Sequence, residues 1–374
     1  DWGVQPRVPS WVPAAGTVAD VSLSTVDAAA GRTVNFWKAW SCVAWAPWWG
    51  QYGSVLISGG GHTDGLQNDT YRYDVATRAI SRIKDTATVY ENGGYCADVT
   101  TGWLWTDVTA TAVQTGEPYA PHHYASMIAL PETANPGAGA TNGWLVTAAR
   151  QGMGSGGSQA SPQQHKLRMG VDQQWSFFGS SPTNVTSYGP ACYDASRNRV
   201  WWLTGDSSPR RRFNWRVADT EVESSVTMSG TDFVASEKVM FWASAHDLLI
   251  TVKAHTADLV IGDPATDTLY EPTLTGTGPT AGVGLWTWGW SDAWNSLFFY
   301  SGSGNVIWFL KPSGDPRSSS WAWSSQTVAT GTVRAVAGGG EAYMRMIHVA
   351  ALGDVLLWCA TTEHAIQMIH VSAP

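Results

Sequence analysis

Two stretches of the chain concentrate side chains able to move protons. Residues 57–74 read ISGGGHTDGLQNDTYRYD, so an apolar run stops on three glycines and delivers His62 and Asp64 directly after them. Residues 116–131, GEPYAPHHYASMIALP, present His122, His123 and Tyr124 from a proline-bounded loop. Arg150 then follows the run WLVTAA, and Tyr188 precedes the run at 191. Imidazole and phenol groups exchange protons near neutrality, and one well-placed general acid or base contributes ~10²–10⁴-fold to a rate. A guanidinium clamps a carboxylate through two parallel hydrogen bonds. Placed beside a phenol, it also lowers the pKa and favours the phenolate that a base requires.

Each of these residues has a structural reading as well. The glycines at 59–61, Asn68 and Tyr71 suit a strand that bends and turns, and His62 could cap that turn. Side chains alternate along a strand, so at most one of His122 and His123 faces a shared site. Tyr124 and Tyr188 could be packing residues with a hydrogen-bonded hydroxyl. Trp286, Trp288 and Trp290 in the run WTWGW face one way together, as blade core or as a platform for stacking a sugar. Nothing like HExxH or GxSxG occurs, and the best glycosidase carboxylates, Asp64 and Glu117, make a weak pair. The histidines leave room for a bound zinc, copper or calcium without defining its ligands, so no cofactor is assigned.

Composition limits what surrounds these residues. Only 14% of the 374 residues are charged, against about 25% in an average soluble protein, and the chain carries 23 Trp and 39 Gly. That bias suits extensive buried strand, with aromatic rings left over for a binding surface. The net charge of −8 gives no attraction for nucleic acid. The one basic run, Arg210-Arg211-Arg212, reads as a solvated loop that could still attract an acidic ligand locally. No apolar run reaches the roughly 18 residues of a membrane span. Cys42, Cys96, Cys192 and Cys359 are far apart and form no CxxC pair, so buried free thiols are the default. The first residue is Asp rather than Met, which is compatible with a removed leader and a secreted or surface location.

The elements that position the candidates follow from an internal repeat. GQYGSVLISGGG (50–61), NGWLVTAARQG (142–152), ACYDASRNRVWWLTGD (191–206), WASAHDLLITVKAH (242–255), WSDAWNSLFFYSGSGN (290–305) and VAALGDVLLWCATTEH (349–364) share one form. Each is a turn rich in Asp, Asn or Gly followed by an apolar strand, with a second strand after a polar break. A period of about 45–55 residues with four strands per unit is that of a propeller blade. The expectation is a single all-β domain over 1–374, a β-propeller of six or seven four-stranded blades. Its seventh candidate is GGYCADVTTGWLWTD (93–107), and the strand near 18–26 completes the last blade. In such a ring His62, His122–Tyr124, Arg150, Tyr188 or Tyr193, His246 or His255 and the WTWGW run could converge on one face.

The form GGGH…N…YRYDVATRAI resembles a kelch repeat. The order His62, His123-Tyr124, Arg150, Tyr188 resembles that of propeller polysaccharide lyases of the ulvan lyase kind, and more distantly the chain resembles galactose oxidase-like propellers. The lyase resemblance implies β-elimination on an acidic polysaccharide. His62 and Tyr124 would handle protons with His123 close by, Arg150 would neutralise the uronate carboxylate, and Asp64, His122, Tyr188, Arg211 and Trp288 would contact substrate. The alternative is a non-catalytic propeller that binds carbohydrate.

Overall fold

A computed structural model of the chain describes residues 8–25, 28–29, 42–58, 69–84, 125–135, 139, 141–148, 164–170, 173–179, 190–203, 211–230, 238–253, 258–279, 287–302, 304–317, 320–335, 344–359 and 366–374. They form six antiparallel sheets in a ring, a six-bladed β-propeller with almost no helix. The blades occupy 43–84, 127–177, 191–227, 238–270, 287–327 and 346–370. The choice between six and seven blades is settled at six, because the first blade packs directly on the second. Residues 93–107 lie outside the described residues.

The innermost strands, Val43–Ala46, Met127–Leu130, Ala191–Asp194, Lys238–Ala243, Thr287–Ser291 and Met346–His348, surround the central channel. Each blade is a meander of neighbouring antiparallel strands. Alternation along each strand sends successive side chains to opposite neighbours. In the fourth blade Val239, Phe241 and Ala243 pack toward the fifth, while Met240 and Trp242 pack toward the third. The core is therefore six wedges between blades, one of which joins Val43, Val55 and Tyr71 of the first blade to Val355, Leu357 and Met368 of the sixth. Buried on both faces, the central strands read as unbroken apolar runs such as VWWL and SLFFY.

Closure uses the two ends of the described chain. Val18–Asp20 pairs antiparallel with Ile366–His370 as the outer strand of the last blade, as the sequence suggested. The blade linkers cover other outer edges: Leu274–Thr275 adds a fifth, parallel strand beside Trp321–Thr327, and Ser229 bridges to Thr268. Unpaired edges invite aggregation, and these additions blunt them.

In the third, fourth and fifth blades the turn after the inner strand places an Asn or Asp at positive φ. Asn198, Asp247 and Asn295 sit at φ 53°, 59° and 48°, and the Gly353 turn takes the same place in the sixth blade at 85°. Asn and Asp tolerate this left-handed region better than most residues, which explains the turn letters of the repeat. Gly289 in WTWGW has a different cause. A Cβ there would lie 2.3 Å from the Phe298 ring and 2.7 Å from the Met346 carbonyl, so the close approach of the fifth and sixth blades requires glycine.

Cys42, Cys192 and Cys359 are free and buried, as the spacing suggested. Replacing Val18, which is 8% exposed within the wedge of Val328, Trp358 and Ile369, tests the closure. Val18→Asp is expected to cost about 2–4 kcal/mol by burying an unpaired charge. Deleting residues 1–20 is expected to lower the thermal midpoint and produce self-association in size-exclusion chromatography. An unchanged monomeric melt would contradict this closure.

Candidate functional site at the turn end of the channel

The two ends of the channel differ. Where the inner strands begin, neighbouring blades are tied directly: the Ala191 amide donates to the Ala125 carbonyl (2.9 Å) and the Val43 amide to the Met344 carbonyl (3.1 Å). The Arg345 amide donates to the Thr287 hydroxyl there (2.8 Å). At the other end, where the inner strands finish in turns, a cavity of about 360 Å³ opens. That volume lies within the range of ~300–1,000 Å³ typical of small-molecule sites.

Its rim is aromatic and is assembled from several blades: Trp45 and Trp48 from the first, Tyr193 from the third, Trp242 from the fourth and Trp290 from the fifth. Its floor is apolar and includes Met127, Met240, Met344 and Met346, flexible side chains that adapt to irregular ligand shapes. Ser244, Asp292 and His348 supply the polar edge.

Each rim side chain has an identifiable support. The Trp45 ring lies over Gly53, at φ 90°, where a Cβ would come within 2.3 Å of the indole. Trp48, 37% exposed, donates its indole N–H to the Asn142 carbonyl of the second blade (3.1 Å). Tyr193 donates its hydroxyl to Asn198 Oδ1 (2.9 Å), and Asn198 in turn donates to the Ala134 carbonyl of the second blade (2.9 Å). The Arg197 guanidinium lies 5.5 Å from the Trp242 ring centroid, a cation–π distance. Arg197 itself is held by Asp194 (3.1 Å) and Asp247 (2.9 Å). The Trp290 indole donates to Asp292 Oδ1 (2.9 Å), and the Ser244 hydroxyl of the preceding blade donates to Asp292 Oδ2 (2.7 Å). Asp292 thus joins the fourth and fifth blades at the rim.

The titratable groups here are committed to structure. Burial, with Asp194 and Asp219 adding to it, pushes the Tyr193 phenol up to about 12, away from what a base needs. Burial raises the Cys192 thiol well above its ordinary value, again with help from Asp194. His348 stacks on Trp294 with ring centroids 3.9 Å apart. Its Nε2 faces the Gly353 carbonyl (2.8 Å), an acceptor only, so Nε2 carries the proton and Nδ1 accepts from the Ser291 hydroxyl (2.7 Å).

His62, Asp64, His122, His123, Tyr124, Arg150 and Tyr188 fall outside the described residues. The described strand ends nearest them in sequence, Ser58, Ala125, Ala148 and Pro190, all belong to the end where the inner strands begin. His246 belongs to the turn end of the channel, where it meets Asn295 Oδ1 at 2.8 Å. Arg211 donates to the Gly230 carbonyl, beyond the outer strand of its blade, rather than reaching the channel. Trp288 adjoins the cavity but is fully buried, stacked on Phe299 at 4.4 Å; this matches its blade-core reading and leaves no open ring face for a sugar. Trp290 belongs to the WTWGW row singled out in the sequence, whereas Trp45, Trp48 and Trp242 were missed because they read as blade core. The available signal was a recurring Trp or Tyr within three residues of an inner-strand end.

Burial holds His348 below its ordinary 6.5, against the opposing pull of the Gly353 carbonyl and Asp354. The folded state then binds fewer protons than the unfolded chain between the lowered value and 6.5. Stability from this group is therefore complete above about 6.5 and is lost as pH falls through that window. The thermal midpoint of the wild type is expected to drop between neutral pH and pH ~5 more than that of His348→Gln, measured by circular dichroism.

No protein-family model matches the chain, and neither does any curated protein. Solved structures match it in fold. An auxiliary nutrient binding protein from Bacteroides ovatus superposes with a TM-score of 0.51 at 8% identity, covering 94% of this chain and 75% of its own. An auxiliary nutrient binding protein from Bacteroides thetaiotaomicron gives 0.50 at 9% identity with the same two coverages. At such identities the likeness establishes the propeller fold alone.

Proposed function

We propose that the chain is a carbohydrate-binding propeller that holds a short stretch of glycan at the turn end of its channel. The observation that carries this reading is the cavity rimmed by Trp45, Trp48, Tyr193, Trp242 and Trp290 with Asp292 and Ser244 at its edge. Sugars present an apolar face of C–H groups and a polar rim of hydroxyls. Rigid aromatic rings complement the first, and fixed acceptors and donors complement the second. Proton chemistry is disfavoured there, because Tyr193 is a committed donor with a raised pKa and His348 is bonded through both ring nitrogens. The nutrient-binding description of the two fold relatives is in keeping with capture rather than cleavage. An extracellular or surface location goes with this reading.

β-Elimination on an acidic polysaccharide by His62, Tyr124 and Arg150, with His123 assisting, is the second reading. It is supported by their order along the chain and by the shared channel end of the strand ends beside them. The two readings rest on different residues, so one experiment separates them. Retention on a glycan array is expected for the wild type, with no rise in the ultraviolet band of unsaturated uronates. Trp48→Ala and Trp290→Ala are each expected to weaken binding roughly tenfold, as loss of a central aromatic contact does. A uronate signal abolished by Tyr124→Phe, with Trp48→Ala and Trp290→Ala silent, would replace binding by lysis.

A further inference from the structure

The rim has one formal charge facing the cavity among its described lining residues, and that charge is negative. Asp292 is exposed between Trp242 and Trp290, and both of its oxygens are oriented, Oδ1 by the Trp290 indole and Oδ2 by the Ser244 hydroxyl. A carboxylate held this way cannot swing aside to relieve a repulsion. Each oxygen keeps a lone pair for a ligand donor, since a carboxylate offers about four acceptor sites. The guanidinium of Arg197, beside Trp242, is already bonded to Asp194 and Asp247 and brings no surplus positive charge to the mouth. His348 is neutral when Nε2–H donates to Gly353 and Nδ1 accepts from Ser291.

From this arrangement we infer that Asp292 is the polar anchor and the charge filter of the mouth: it accepts hydrogen bonds from the hydroxyl or amino groups of a neutral or amino sugar and excludes uronates. The inference rests on the carbohydrate reading above and narrows it to glycans without carboxylates. It reverses the acidic substrate suggested by the sequence, because a uronate carboxylate at this rim would meet a fixed anion instead of an arginine clamp. Two like charges a few ångströms apart near a protein surface repel by enough to change affinity about tenfold.

The test uses the full chain and matched probes measured by isothermal titration calorimetry at low and high salt. The probes are oligogalacturonate, the same oligomer fully methyl-esterified, cello-oligosaccharide and the glucosamine oligomer of equal length. The esterified and cello-oligosaccharide probes, or the glucosamine oligomer, are expected to bind, with oligogalacturonate at least tenfold weaker than its own ester at low salt. Asp292→Asn is expected to close most of that gap. Ser244→Ala keeps the charge but frees the carboxylate to turn away, so it is expected to weaken neutral binding and to narrow the gap in part; an unchanged gap in folded Ser244→Ala overturns the fixed-anion account. Thermal melts of both variants verify folding, and the Ser244→Ala result stands alone if Asp292→Asn fails to fold. Oligogalacturonate binding as tightly as its ester overturns the inference while leaving the carbohydrate reading intact. An unchanged gap in folded Asp292→Asn overturns the role of Asp292. Binding of none of the probes overturns the carbohydrate reading, and the inference falls with it.

Discussion

Everything in this molecule depends on packing neighbouring blades face to face, with each strand giving alternate side chains to the blade on either side. In the third blade Cys192, Trp201 and Phe213 face the fourth, while Ala191, Val200 and Trp202 face the second. No wedge is complete without two blades, so no blade buries its surface alone. That is why the ring must close, and why Val18–Asp20 is joined to Ile366–His370 by strand pairing rather than by a loop. The Trp content follows from the same geometry. Wedges between twisted sheets widen away from the axis, and large flat rings such as Trp201, Trp202, Trp321 and Trp358 fill them at under 2% exposure.

Such packing leaves little of the strands for function. With both faces committed, only the inner-strand ends and their turns can meet a ligand. The two ends are then distinguished by how tightly the inner strands are tied. Direct backbone bonds such as Ala191 to Ala125 draw the blades together at one end. At the other, contacts between blades pass through side chains of the turns: Ser244 to Asp292, His246 to Asn295, Trp294 to Asp354 and Arg197 to Asp247. Bridges made through side chains hold the backbones of neighbouring blades further apart than direct backbone bonds do, and they leave the space in which the cavity forms. The bonds that latch the ring at this end are thus the same ones that orient its rim.

The fold was legible because its signals are local and repeated. The turn letters Asp, Asn and Gly mark residues at positive φ, and the apolar runs after them are second strands buried on both faces. The closing strand was legible because an apolar segment ahead of the first full unit had no other blade to join. The count of six or seven resolves at six: 93–107 has the apolar letters but lacks a second half, and the first and second blades share a wedge through Ala44, Leu56, Met127 and Leu145. The site was less legible for a physical reason. Sequence reading weights chemically reactive letters, and His62, Tyr124 and Arg150 drew attention to the segments after second strands and before first strands. The aromatic mouth formed by Trp45, Trp48, Trp242 and Trp290 uses letters indistinguishable from blade core. Trp288 and Trp290 show how fine the distinction is: they sit two residues apart on one face of one strand, yet one is fully buried and the other reaches the rim.

That two-residue difference also explains how a rigid core becomes a site without a change of building material. Moving along an inner strand toward its turn, the wedge runs out of partner blade, and the same aromatic row goes from packed to partly open. The indole of Trp290 then finds Asp292, two residues further on, instead of more apolar surface. Rings at the rim remain fixed by what lies beneath them: Trp45 by Gly53, Trp290 by Trp321 at 6.3 Å. A ligand meeting such a surface orders few side chains on arrival, so little of its interaction energy is lost to conformational entropy. Preorganisation here is a by-product of propeller packing, and beyond the wedges the few turn residues, Asp292 and Ser244 foremost, are held by their own hydrogen bonds.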